Sequence, residues 1–376
     1  MRVGHSFLRA IVPAAVLILG FVSSSPAARL EAPPDREFGR EAQRRFLVEH
    51  MRIAASDRLI EQDDEIAAYL SAQFNTLVLF DTEDSVTLLK SEQRIAFEVG
   101  FARAHRLRIV VCKATEPITQ VTESRRSALS GVTAQTVRRS FAAAGTAQTS
   151  DDEIRDRLRL WDRYGHDVIL GVFFLHDDAF LLRATVERQL HLYALAHEAV
   201  PDWYVFGMLG EFGFDAPAED VARYFDPNSF DHLLILMYPL NLGEVTGMRL
   251  DTVTSADPDE DMRRYVRRYV KHMGEKFIAR LTKGQLAVPV IQSFAYHGES
   301  TGHVPRGADI TIQAAVGNEL VRAIAGQERN GAVAYFLWDG SRAGMFGLWQ
   351  RPDWMAAAED ANHLSGGGGR IDRRAR

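Results

Sequence analysis

Short apolar runs alternate with stretches of helical spacing along most of this chain. The clearest run is 168–175, inside HDVILGVFFLHDDAF, and it stops abruptly at His176, Asp177 and Asp178. A run of that length, rich in β-branched and aromatic residues and bounded by polar groups, predicts a strand buried on both faces, as in a parallel sheet covered by helices. Comparable runs occupy 46–53, 75–81, 107–113, 203–209, 233–238, 289–296 and 332–338. Between them, apolar residues recur at helical spacing over 57–74, 84–105, 151–164, 181–199, 218–224, 262–281, 310–327 and 353–362.

That alternation predicts an α/β fold of the (β/α)8 TIM barrel class, a single domain over 46–362. The segment 114–150, rich in Ser, Thr, Ala and Arg, reads as a long insertion after the third strand, of the kind that is more often functional or mobile than structural. An open doubly wound sheet is the competing layout. It calls for a Gly-rich phosphate turn after the first strand, where FLVEHMRI passes instead into Ala54, Ala55 and Ser56.

The ends of the chain read differently. Arg2 and Arg9, an apolar stretch over 11–22 and small residues up to Ala27 and Ala28 have the three-part layout of a secretory signal, 1–28, with an apolar part short for a spanning helix. Export to the periplasm or medium, without stable membrane insertion after signal removal, is the expectation. The charged segment 29–45, with Pro33 and Pro34, reads as a linker, and the Gly- and Arg-rich 363–376 as a disordered tail.

Composition narrows the partners. With 376 residues, 46% of them hydrophobic and 25% charged, the chain can bury a full core. Its net charge of -6 gives no global basic field, so nucleic acid is not the natural partner. Cys112 is the only cysteine, which excludes an intrachain disulfide and a thiolate metal cluster.

In a barrel of parallel strands the C-terminal ends carry the chemistry, because the loops there vary over a rigid core. The residues at those predicted ends include Glu49, His50, Asp81, Lys113, Asp177, Asp178, Glu211, Tyr238, Tyr296, His297, Trp338 and Asp339. Carboxylates accept hydrogen bonds from sugar hydroxyls, and Trp and Tyr faces pack on the apolar face of a pyranose. The plain structural alternative is that aromatics at barrel ends simply cap the core. No nucleophile elbow, P-loop or His-Glu-x-x-His motif competes. A metal site from His50, Asp81 and Asp177 is the weaker chemistry, and no metal or cofactor is expected.

Side chains alternate along a strand, so only one of Asp177 and Asp178 can face the barrel axis. If Phe173 and Leu175 line that axis, Asp177 shares their parity and is the first choice for the catalytic acid. Asp178 is a second catalytic candidate and, alternatively, an N-cap for the helix that follows. Glu211, just beyond the adjacent strand, is the candidate partner; its plain alternative is a surface-loop glutamate. Two carboxyl groups about 5 to 5.5 Å apart suit a retaining glycosidase, and roughly 6.5 to 9.5 Å an inverting one. Substrate positioning falls to Glu49, His50, Asp81, Tyr238, Gln292, Tyr296, Trp338 and Asp339, with Glu299 a weaker candidate for chemistry.

With these residues in hand, the chain resembles the glycoside hydrolase barrel superfamily, and in part the chitinase-like family 18 enzymes. That family carries an Asp-Gly-x-Asp-x-Asp-x-Glu run on strand four, a Met-x-Tyr on strand six and a Trp closing strand eight. Here LGVFFLHD puts Asp177 where the acid Glu falls, LMYPLN puts Tyr238 near the strand-six tyrosine, and YFLWDG puts Trp338 at the strand-eight tryptophan. Phe173 and Leu175 stand at the inner aspartate positions, so the resemblance does not carry the acetamido-assisted mechanism with it. What it implies is an exported glycoside hydrolase acting on a polysaccharide or cell-envelope glycan. The alternative is a carbohydrate-binding barrel without catalysis, favoured by those two apolar residues.

Overall fold

A strand buried on both faces still has two edges to satisfy, and eight parallel strands satisfy all of them by closing into a ring. The computed structural model describes residues 45–48, 64–82, 89–113, 115, 149–175, 178–210, 213–238, 257–296, 304–327, 331–336 and 345–365. In chain order these form β1 (Arg45–Val48), α1 (Asp64–Gln73), β2 (Thr76–Phe80), α2 (Glu92–Ala104), β3 (Arg108–Cys112), α3 (Asp151–Gly165) and β4 (Ile169–Phe173). Next come α4 (Ala179–Leu182), α5 (Val186–Ala199), β5 (Tyr204–Leu209), α6 (Ala218–Tyr224), β6 (His232–Met237), α7 (Pro258–Lys276) and β7 (Ala287–Gln292). The chain continues through β8 (Phe294–Tyr296), α8 (Gly307–Ala325), β9 (Val333–Phe336), β10 (Met345–Gly347) and α9 (Pro352–Ser365).

The ring runs β1-β2-β3-β4-β5-β6-β7-β9, each pair parallel, and β1 closes it by pairing with β9 in the register Phe46↔Ala334 and Val48↔Phe336. This is a (β/α)8 TIM barrel. Strand alternation divides its apolar residues into two layers. Val78, Phe80, Val110, Phe206, Leu236 and Val290 fill the interior, while Leu79, Val111, Val205, Ile235 and Ile291 pack outward against helices.

Among the described residues, alternation fails at one place, in β4. Ile109 of β3 pairs with Ile169, but Val110 pairs with Gly171, so β4 carries one extra residue. Leu170 and Phe173 therefore face the interior, and Ile169 and Val172 face the helices. Gly171 permits the irregularity: a Cβ there would lie 2.0 Å from the carbonyl oxygen of Tyr204 on β5.

Three elements depart from the sequence reading. The run 289–296 splits at Ser293, because its second half, β8, leaves the ring and pairs antiparallel with β10, Phe294↔Gly347 and Tyr296↔Met345. The helix expected over 181–199 breaks at Arg183, which adopts a left-handed φ of 54°, giving α4 and then α5 capped by Thr185. Leu175 packs with Ala179, Leu182 and Ala184 in a small cluster of its own rather than in the barrel interior.

The ring's seam is covered by the last helix. Tyr69 of α1 donates to the Met355 carbonyl (3.0 Å), Asn362 donates to the Gln73 carbonyl (2.9 Å), and Tyr335 of β9 donates to Asn362 Oδ1 (3.0 Å). The segments read as signal peptide and as insertion, and the tail beyond Ser365, lie outside the described residues or nearly so. Among the described residues, no helix is long and apolar enough to cross a membrane.

Candidate active site

The C-terminal mouth of the ring is where the strands end at Phe80, Cys112, Phe173, Leu209, Met237, Gln292 and Phe336. Of the candidate catalytic and sugar-positioning residues, Tyr238, Gln292, Asp178 and Asp81 have described side chains, and the first two lie at the strand ends facing the interior. Tyr238 follows β6 on the parity of Leu234 and Leu236 and belongs to the interior cluster, edge-on to Phe294 with ring centroids 5.0 Å apart. Gln292 closes β7 and is fully buried; its side-chain amide donates to the Phe294 carbonyl at 3.4 Å, and its backbone N–H donates to Gln313 Oε1 at 3.2 Å. Phe294 thus links Tyr238 and Gln292 in one buried aromatic and amide cluster at the ends of β6 and β7.

Asp178 lies in the loop after β4. It is fully buried and caps α4: Oδ1 accepts from the Phe180 N–H at 2.9 Å, as the sequence allowed. Its second oxygen, Oδ2, accepts from the Gly213 N–H at 3.3 Å. Gly210 belongs to the same contact, since a Cβ on it would lie 3.2 Å from Asp178 Oδ2. One carboxylate therefore ties the loop after β4 to the loop after β5.

That second loop is gripped from its other side as well. Lys276 of α7 donates to the carbonyls of Phe214 (2.7 Å) and Gly213 (3.3 Å), and His272 Nε2 donates to Phe214 O at 2.7 Å. A carbonyl only accepts, so the Nε2–H tautomer is the one this contact needs. The His272 ring stacks on Phe214, centroids 3.9 Å apart, and Phe214 stacks on Tyr269. Burial pushes the Lys276 ammonium below its ordinary range, against the opposing pull of Asp215. Neither His272 nor Lys276 signals this from sequence, because the contacts span 58 and 62 residues.

Asp81 lies elsewhere than the sequence reading assigns it. It shares the parity of Leu77 and Leu79, so its carboxylate turns to the helix layer instead of the interior. There it is almost wholly buried and accepts from Arg157 (Nε 3.0 Å, Nη2 2.5 Å) and from the Trp161 indole N–H (2.6 Å), both on α3. Lys113, on the matching parity of β3, stands 3.8 Å from Asp81 and 3.2 Å from Glu153. Arg157 also donates to the carbonyl of Lys90, whose own ammonium is buried against Glu98 at 2.7 Å. The carboxylate at the end of β2 thereby fastens α3 to the mouth from outside.

Glu49, His50, Asp177, Glu211, His297, Glu299, Trp338 and Asp339 lie outside the described residues, as does the side chain of Tyr296. Among the described residues, no group of three or more His, Cys, Asp or Glu side chains is placed to hold a metal ion. Cys112 is buried in the interior, and burial pushes its thiol well above the usual range, with Asp81 adding to the effect.

No protein-family model matches the sequence, and no curated protein matches it. Solved structures do, at low similarity. An endo-β-1,4-mannanase from Thermotoga petrophila superposes with a TM-score of 0.49 at 10% identity, over 88% of this chain and 77% of that one. A glycoside hydrolase family 5 mannosidase from Rhizomucor miehei gives 0.48 at 10% identity, over 86% and 92%. A family 113 β-mannanase from Alicyclobacillus acidocaldarius gives 0.44 at 12% identity, over 86% and 97%.

Proposed function

We propose that this chain is a glycoside hydrolase, exported by its N-terminal segment and acting on a polysaccharide or cell-envelope glycan. Asp177 protonates the departing glycosidic oxygen, and Glu211 activates water or attacks the anomeric carbon. Tyr238 and Gln292 position the sugar subsite from beneath the mouth, with Glu49, His50, Tyr296, Trp338 and Asp339 as the contacts proposed above them. The proposed reaction needs no cofactor.

The observation that carries this reading is the hydrogen bond from the Gly213 N–H to Asp178. Asp178 is the neighbour of Asp177, and Gly213 follows Glu211 by two residues. The tie therefore couples the two acid-bearing loops at adjacent strands, as a pair of carboxylates acting on one bond requires. Tyr238 and Gln292, buried at the ends of β6 and β7, back the same mouth from beneath.

The test is release of reducing ends from a panel of plant and bacterial polysaccharides. Asp177→Asn and Glu211→Gln should each lower kcat by about 100-fold or more with folding intact. Full activity in purified Asp177→Asn on a glycan that the parent cleaves would overturn the acid assignment. The second reading, a carbohydrate-binding barrel without turnover, is favoured by Phe173, which fills the interior where family 18 enzymes carry an acid. Calorimetric binding to the same glycans with no reducing ends released would select it.

A further inference from the structure

The sequence of α7 contains RRYVRRYVK, residues 263–271, and the structure sorts it by face. Tyr265, Val266, Tyr269 and Val270 are buried against the barrel, while Arg264, Arg267, Arg268 and Lys271 are exposed. No acidic residue occurs between Asp261 and Glu275. The whole chain carries -6, so setting aside the five cations of this stretch leaves the remainder at -11. A short basic ridge thus stands on an otherwise acidic protein.

The ridge is only weakly neutralised by its own helix. Arg263 and Arg267 approach Glu260 at 3.8 and 3.3 Å, and Arg264 approaches Asp261 at 3.6 Å. The Glu260 side chain is 43% exposed, and its two pairs contribute at most about 1 kcal/mol each and exchange readily for another anion, whereas Asp261 is buried and meets Arg264 only at its edge. Arg268 and Lys271 have no acidic partner within 4.0 Å among the described residues, although charge pairing along the helix would favour one. Four of the five cations are arginines, whose planar fork matches a carboxylate with two parallel hydrogen bonds.

We infer that this face of α7 binds an acidic polysaccharide, one whose repeating sugars carry carboxylates. Its shape decides among polyanions. From Arg264 to Lys271 the helix rises about 10 Å, little more than one screening length at physiological salt. Asp259, Glu260 and Asp261 flank the ridge at one end and Glu275 at the other. A membrane or a nucleic-acid duplex is wide enough to bring its negative charge against those acids as well. A single thin glycan chain touches the ridge alone. Membrane insertion is also disfavoured because the exposed face offers only charged side chains, with every apolar residue of the stretch turned inward. This inference does not depend on Asp177 or Glu211.

The experiment is equilibrium binding of the full chain to polygalacturonate, with neutral mannan, phosphatidylglycerol vesicles and a DNA duplex in parallel. Binding to polygalacturonate should weaken about tenfold or more between roughly 50 and 200 mM salt. It should also fall about tenfold or more in a variant combining Arg264→Gln, Arg267→Gln, Arg268→Gln and Lys271→Gln, with neutral mannan unaffected. The double variant Arg268→Glu, Lys271→Glu, at two exposed positions, gives the same readout should the fourfold change fold poorly. Equal binding by parent and variants, no binding by the parent at low salt, or tighter binding to vesicles or DNA would overturn the inference.

Discussion

Asp178 Oδ2 accepts the Gly213 N–H at 3.3 Å while its Oδ1 caps α4, so one buried carboxylate joins two loops of the barrel mouth. Replacing it by Ala removes the cap and the tie together. Asp178→Ala should cost about 1 to 3 kcal/mol, read as a lowered urea midpoint at unchanged slope. Asp178→Asn keeps an acceptor oxygen and should lose less. If Asp178 touches substrate instead, Asn would abolish turnover while leaving the midpoint near that of the parent.

Asp81 gives a larger effect of a different kind. Its removal strands the Arg157 guanidinium beneath α3, and breaking a buried pair from one side costs about 3 to 5 kcal/mol. Asp81→Ala should therefore unfold at markedly lower denaturant. A stability equal to the parent's, with weakened substrate binding, would return Asp81 to the role the sequence suggested.

Gly171 is set by contact. A Cβ only 2.0 Å from the Tyr204 carbonyl cannot be accommodated without moving β4 from β5, so Gly171→Ala should cost about 3 kcal/mol or more. Thermal unfolding of that variant decides it, and a Tm within a degree or two of the parent's would show that the strands yield freely.

Alkaline pH should open the seam. Burial pushes the Tyr335 phenol well above its ordinary 10.0, and Tyr69 likewise, with Glu359 adding to the latter. A raised folded-state pKa means the fold favours the protonated phenol. That contribution is complete below about pH 10 and is lost as pH climbs past it. Stability should thus fall steeply above that pH, and less steeply in Tyr335→Phe, which has no proton to lose. Parallel pH slopes for parent and variant would exclude Tyr335 as the cause.

Much of the fold was legible because burial on both faces leaves an unbroken apolar run. The strand at 75–81 and the helix at 218–224 fall within a residue of β2 and α6. What escaped the sequence was set by partners distant along the chain. The split of 289–296 follows from pairing with β10, and the extra residue in β4 shows only in its register against β3. Parity gives Tyr238 and Gln292 the interior face of β6 and β7, where both are buried. It fails beyond Phe173, where the strand ends and Leu175 joins α4, so alternation no longer fixes a direction. Asp81 was legible as a strand-end acid whose parity with Leu77 and Leu79 turns it outward, but its partners Arg157 and Trp161, 76 and 80 residues away, were not.

The pairing of β1 with β9, under the hydrogen bonds from α9 to α1, brings the first and last strands of the ring side by side. The order in which the ribosome delivers the strands is then not what the circle remembers. A gene rejoined across that gap and cut open at another helix-to-strand turn should therefore still encode a closed ring.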